Sequence, residues 1–115
     1  MGVRIGNVGI DTNDLARASA FWQAMTGYEP GSADESSAVL ADPTKGGPDL
    51  FLQVVPEPRV GKNRLHLDLF TADLPGEVAR AQGLGATEVQ RFVEGDGGWI
   101  VLADPDGNQF CIVAE

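Results

Sequence analysis

Few side chains in this sequence could do chemistry. His66 is the sole histidine and Cys111 the sole cysteine. An unperturbed imidazole changes charge near neutral pH, so His66 is the natural proton shuttle and the candidate catalytic residue. A hydrogen-bonded histidine lining a cavity is the plainer alternative. One histidine excludes a two-histidine metal site within a chain, and one cysteine excludes both an intramolecular disulfide and a CxxC-type zinc site. Cys111 could be a nucleophile if its pKa were depressed, or a small apolar filler. Asp68 follows His66 by two residues, which puts both on one face of an extended strand. Asp68 or Cys111 could therefore join His66 around a metal ion.

Asn7 and Gln53 are neutral amides that can donate to and accept from a ligand's carbonyl or amide, or satisfy one another. Trp99 and Phe51 could stack on a planar ligand or pack against neighbouring strands. Lys62, Asn63 and Arg64 could hold an anion at a rim, or simply form an exposed charged connector. The run DPDGN alternates acidic and amide residues, but Gly107 stands at its fourth place rather than the sixth that a calcium loop requires, so a hairpin turn is the better reading. GLG and GDGG make no phosphate-binding loop, and no GxSxG or HExxH occurs.

These residues need elements to position them. A strand is expected over residues 4–11, with Thr12, Asn13 or Asp14 capping a helix over about 15–26. In that helix Leu15, Ala18, Trp22 and Met25 recur at helical spacing, and Gly27 stops it. A short strand, then SSAVLA, the turn DPTKGGP and a strand over 50–55 follow. Pro56 and Pro58 mark a connector. The second half opens with a strand over 64–70, and Asp73 and Pro75 start a helix that runs to about residue 84. Strands over 87–92, 98–102 and 109–113 are separated by GDGG and DPDGN.

Both halves read βαβββ, an α+β pattern. VLADP closes the third strand of each, at Val39–Pro43 and at Val101–Pro105, so a duplicated module is expected. The first module spans about 3–56, the connector about 57–63 and the second module about 64–115, together one domain of residues 1–115. Strand alternation puts Leu65, Leu67 and Leu69 under a helix, opposite His66, Asp68 and Phe70. It leaves Asn7, Gln53, His66 and Cys111, with Asp68, on a mixed face suited to a concave ligand surface.

The chain has 115 residues, 43% hydrophobic and 22% charged, which suits one globular domain and excludes a mainly disordered one. A net charge of -9 argues against nucleic acid and anionic membranes as partners. No segment approaches the roughly 20 apolar residues of a membrane span, and a cytoplasmic location is expected.

The paired βαβββ pattern, NRLHLDLF and WIVLADPDGNQFCIV resemble the vicinal oxygen chelate superfamily, which includes glyoxalase I, bleomycin resistance proteins and extradiol dioxygenases, and its glyoxalase-like branch in particular. The resemblance implies two modules curled into an incomplete barrel around a cup, and often a homodimer. In metal-dependent members it implies a divalent ion held from the first and last strands of each module. Those positions fall at Asn7, Gln53, His66 and Cys111, of which only His66 keeps a usual ligand type. The leading expectation is a small planar or carbonyl-bearing molecule bound by Asn7, Gln53, His66, Asp68, Trp99 and Cys111, with no cofactor and no tightly bound catalytic metal. The alternatives are a metal-dependent lyase or dioxygenase using His66 with Asp68 or Cys111, and a non-catalytic interaction or regulatory module.

Overall fold

The structure is a computed structural model that describes Gly2 and residues 4–115. The expected start of the first module, at residue 3, lies outside the described residues. The chain divides into two compact units, Met1–Pro58 and Arg59–Glu115. The first unit contains β1 (Asn7–Thr12), α1 (Leu15–Thr26), β2 (Glu29–Ala33), β3 (Ser37–Ala41) and β4 (Asp49–Val54). The second contains β5 (Asp68–Thr71), α2 (Leu74–Gly83), β6 (Thr87–Glu94), β7 (Gly97–Ala103) and β8 (Gln109–Ala114). Each is a βαβββ module whose four-stranded sheet is mixed. The strand orders are β1-β4-β3-β2 and β5-β8-β7-β6, and the first strand of each module runs parallel to its last.

The two modules enter their helices in the same way. Thr12 accepts the backbone N–H of Asp14, and Thr71 that of Asp73, both at 3.0 Å. The two aspartates then cap α1 and α2 by accepting N–H groups of Arg17 and Gly76, each at 3.1 Å. Gly27, in the left-handed conformation at φ 75°, closes α1.

Each helix covers one face of its sheet. Ala18, Phe21, Trp22 and Met25 of α1 are buried, and the helix packs on β3 and β4, whose Ala38, Leu40, Leu50 and Leu52 are buried too. Leu74, Val78 and Ala81 of α2 are buried likewise, and α2 packs on β6 and β8. Ile100, Leu102, Phe110 and Ile112 fill the rest of the second core. Each of the larger aliphatic or phenylalanine side chains taken fully out of water is worth about 1.5–3 kcal/mol.

The repeated VLADP ends each third strand in a turn built on its aspartate. Asp42 accepts the N–H groups of Thr44 at 2.9 Å and Gly47 at 3.0 Å. Asp104, buried, accepts those of Asp106 at 2.9 Å and Asn108 at 2.8 Å. The proline that follows each aspartate lacks an N–H and cannot prolong the ladder.

Two strands begin later than the sequence suggests. β1 starts at Asn7 rather than residue 4; its partner β4 starts at Asp49, directly after Pro48, which has no N–H to extend the pairing. β5 starts at Asp68 rather than residue 64. There the Asn63 side chain takes over the strand's role, donating to the carbonyls of Leu65 and Gln109 and accepting the Gln109 N–H. Leu65 is consequently 88% exposed instead of lying under a helix, and Leu67 and Leu69 are only half-buried.

Candidate functional site

The face of the second sheet opposite α2 is concave and encloses about 600 Å3. Alternation along the strands aims Asp68 and Phe70 of β5, Gln109, Cys111 and Val113 of β8, and Trp99 and Val101 of β7 to this side. His66 also lines it, from the irregular stretch just before β5. Four of the six expected ligand-binding residues, His66, Asp68, Trp99 and Cys111, thus share one concavity.

Its aromatic wall comes from the β6–β7 hairpin. Glu94 pairs with Gly97 across the two-residue turn Gly95–Asp96, and this register sets Phe92 opposite Trp99. The rings stack with centroids 5.0 Å apart and planes at 22°. They remain 42% and 43% exposed, so the stack presents itself to solvent instead of filling a core. Gly98 makes the close approach possible: its φ is 106°, and a Cβ there would run into the carbonyl oxygen of Phe92. A register shift between Glu88 and Gln90 lets both Val89 and Gln90 line the concavity.

The polar end is a small cluster. His66 Nδ1 lies 2.9 Å from Asp68 Oδ1. Asp68 stands directly across the ladder from Cys111, and one ligand atom from each of His66, Asp68 and Cys111 lies within 4.8 Å of the other two. Burial pushes the Cys111 thiol pKa up, and the Asp68 charge and its hydrogen bond push the same way, against a smaller opposing pull from Lys62. A raised thiol pKa works against the nucleophile reading of Cys111.

Asn7 and Gln53 belong to the first unit. Asn7 pairs with Asp49 and Gln53 with Asp11, so they stand four registers apart along the β1–β4 pair, roughly 13 Å. They cannot satisfy one another. The registers also correct an equivalence between the modules. Val39 pairs with Phe51, as Val101 of the second VLADP pairs with Cys111. The counterpart of Cys111 is thus Phe51, half-buried on β4, and Gln53 corresponds to Val113. The turn after VLADP is two residues longer in the first module, so the ladder and not a residue count fixes the equivalence.

Phe92, Gln90 and Gln109 were not singled out from sequence, and Phe70 was placed on the face of His66 and Asp68 without being taken as a ligand residue. Phe92 was within reach, since a two-residue turn in GDGG already sets it across from Trp99. The bulge that brings in Val89 beside Gln90 leaves no such signal.

Residues 7–113 match the family model described as the glyoxalase-like domain, and the chain belongs to that family. Solved structures of the glyoxalase/bleomycin resistance/dioxygenase group share the fold. A family enzyme from Burkholderia phytofirmans is 22% identical with a TM-score of 0.80, over 97% of this chain and 98% of that one. The fosfomycin resistance protein FosX from Listeria monocytogenes, in complex with Mn(II) and a dihydroxypropylphosphonic acid, is 14% identical with a TM-score of 0.77, over 98% and 90%. A glyoxalase/bleomycin resistance protein from Albidiferax ferrireducens is 21% identical with a TM-score of 0.70, over 96% and 97%. No curated protein matches the sequence. Among the described residues, no helix is long and apolar enough to cross a membrane.

A divalent ion of the manganese kind does not fit this chain's donors. The cluster on the second sheet offers a thiol and an imidazole beside one carboxylate, whereas Mn(II) favours carboxylate, carbonyl and water oxygens.

Proposed function

We propose that the concave face of the second sheet binds a small planar or carbonyl-bearing molecule, stacked on Trp99 and Phe92. The single observation behind this is the solvent-facing aromatic pair on the wall of a concavity of about 600 Å3, within the usual range of small-molecule sites. The site's composition suits such a ligand: apolar walls of Phe70, Val101 and Val113, with Gln90, Gln109 and His66 as isolated polar groups. When His66 donates its Nδ1–H to Asp68, Nε2 keeps its lone pair and can accept a hydrogen bond or a proton from the ligand. The reading needs neither Asn7 nor Gln53, and no step passes through a tightly held catalytic metal. It includes a homodimer, as the family resemblance implies, which native mass spectrometry tests.

Fluorescence tests the binding. Trp22 is buried in the first core and supplies a steady background, whereas the Trp99 indole meets the ligand. A panel of planar carbonyl and carboxyl compounds should contain members that quench emission saturably in the wild type and not in Trp99→Phe. Quenching that survives in Trp99→Phe, or none across the panel, sinks the reading and favours a non-catalytic interaction module.

The convergence of His66, Asp68 and Cys111 favours a second reading, a metal-dependent enzyme of lyase or dioxygenase type. Activity that appears on adding a divalent metal and is lost in His66→Ala would establish it.

A further inference from the structure

We infer that the molecule held on the concave face of the second sheet is an elongated aromatic acid, with its ring against Trp99 and Phe92 and its carboxylate at the Lys62 ammonium. The inference rests on the aromatic ligand site proposed above and names the class of ligand that the site takes.

The ladders arrange the concave face in rows that run across the strands. Phe70 pairs with Val113, Val113 with Trp99 and Trp99 with Phe92, so one row is wholly apolar. The row two residues along joins Asp68, Cys111, Val101 and Gln90, and it is polar at both ends. Beyond it stands Gln109, bridged to Asn63, with Lys62 next in the chain and also lining the concavity. Polarity thus rises along the strands, row by row, in steps of roughly 6–7 Å. A molecule that is apolar at one end and polar at the other matches this gradient, whereas polar groups laid on the apolar row would lose water and gain no partner.

Charge decides what the polar end is. Among the described residues, Lys62 is the only lysine or arginine lining the concavity, and no ion pair engages it. Asp68 is the only carboxylate there, and it is already engaged by His66 and by the Cys111 thiol. Near the Cys111 sulfur the Asp68 charge outweighs that of Lys62, so the ligand's anion lies toward Gln109 and away from Asp68. Lys62 is tethered at that end. The adjacent Asn63 side chain donates to the carbonyls of Leu65 and Gln109 and accepts the Gln109 N–H. The Gln109 side-chain amide lines the same end and can donate to the second carboxylate oxygen.

Length follows from the rows. A ring on Trp99 and an anion at Lys62 stand one to two rows apart, about 7–13 Å. Benzoate, whose carboxylate is bonded directly to its ring, is too short to meet both, and biphenyl-4-carboxylate carries a second ring as the spacer.

Titrations of biphenyl-4-carboxylate and biphenyl-4-carboxamide at low ionic strength test the inference, with the Trp99 indole signal in 15N–1H spectra as the readout. Both should shift Trp99, and the acid should bind about three- to fivefold more tightly than the amide, the range of an exposed ion pair. Added salt should shrink that preference. Lys62→Gln should erase it by weakening the acid alone, and Lys62→Arg, which keeps the charge, should retain it. Benzoate and benzamide should bind alike. If wild-type protein binds acid and amide equally, or if the preference survives in Lys62→Gln, the ligand is not an acid held by Lys62, while the aromatic site itself still stands. An equal acid preference in benzoate overturns the elongated shape. If neither biphenyl compound moves the Trp99 signal, the aromatic site falls together with this inference.

Discussion

At the scale of single residues, the site depends on a glycine as much as on its reactive groups. Gly98 holds φ at 106° where a side chain would strike the Phe92 carbonyl. Gly98→Ala should therefore destabilise the protein by about 1–3 kcal/mol in urea denaturation, and it should weaken ligand binding by displacing the Phe92–Trp99 stack. An unchanged midpoint would show that the hairpin tolerates another conformation. Trp99→Ala should behave oppositely: a 43% exposed ring contributes little to folding, so stability should change by less than about 1 kcal/mol while binding is lost. A large stability loss in Trp99→Ala would mean that the ring is a packing residue. The chemical groups themselves were legible in the sequence because there are so few of them. The sequence did not reveal that His66 leaves the strand, because that depends on the Asn63 bridge to Gln109, a contact between residues 46 positions apart.

At the scale of elements, the two VLADP turns share a design and differ in burial. Asp104 is buried and holds two backbone N–H groups and the Asn108 amide. Asp104→Ala should cost more than about 2 kcal/mol, against a smaller loss for Asp42→Ala, whose carboxylate is only half-buried. Equal losses would show that burial does not set the cost. Asp42 also gives a pH signature. The Thr44 hydroxyl, followed by the Thr44 N–H, holds its carboxyl below the ordinary aspartate value. A folded-state pKa below the unfolded one stabilises the protein above the unfolded value, about pH 4, and the benefit disappears as pH falls through the folded value. The stability gap between wild type and Asp42→Ala should hold steady from about pH 5 to 7 and close below about pH 4. Urea melts across that range check it, and a gap that widens in acid would reverse the assignment. Helices and hairpins were readable from caps, periodicity and turn residues. The starts of β1 and β5 were not, because they depend on Pro48 in the partner strand and on the Asn63 bridge to Gln109.

At the scale of the molecule, the duplication was legible from five repeated letters, and the ladders show what those letters conceal. The second module places imidazole, carboxylate and thiol around one point, whereas the first has Asn7, Gly9 and Phe51 at the matching registers. Two modules of one design thus differ, and the second holds the three donor types together. Family membership follows from the whole chain, and the chemistry from a few positions that family membership does not fix. The most direct measurement is a 15N–1H correlation spectrum recorded while planar carbonyl and carboxyl compounds are titrated in. Expected are saturable shifts of the Trp99 indole and the Gln90 and Gln109 side-chain amides, with the Trp22 indole and the α1 backbone unmoved. Compounds that shift none of these signals, or that shift Trp99→Ala protein equally, would contradict a ligand site on this sheet.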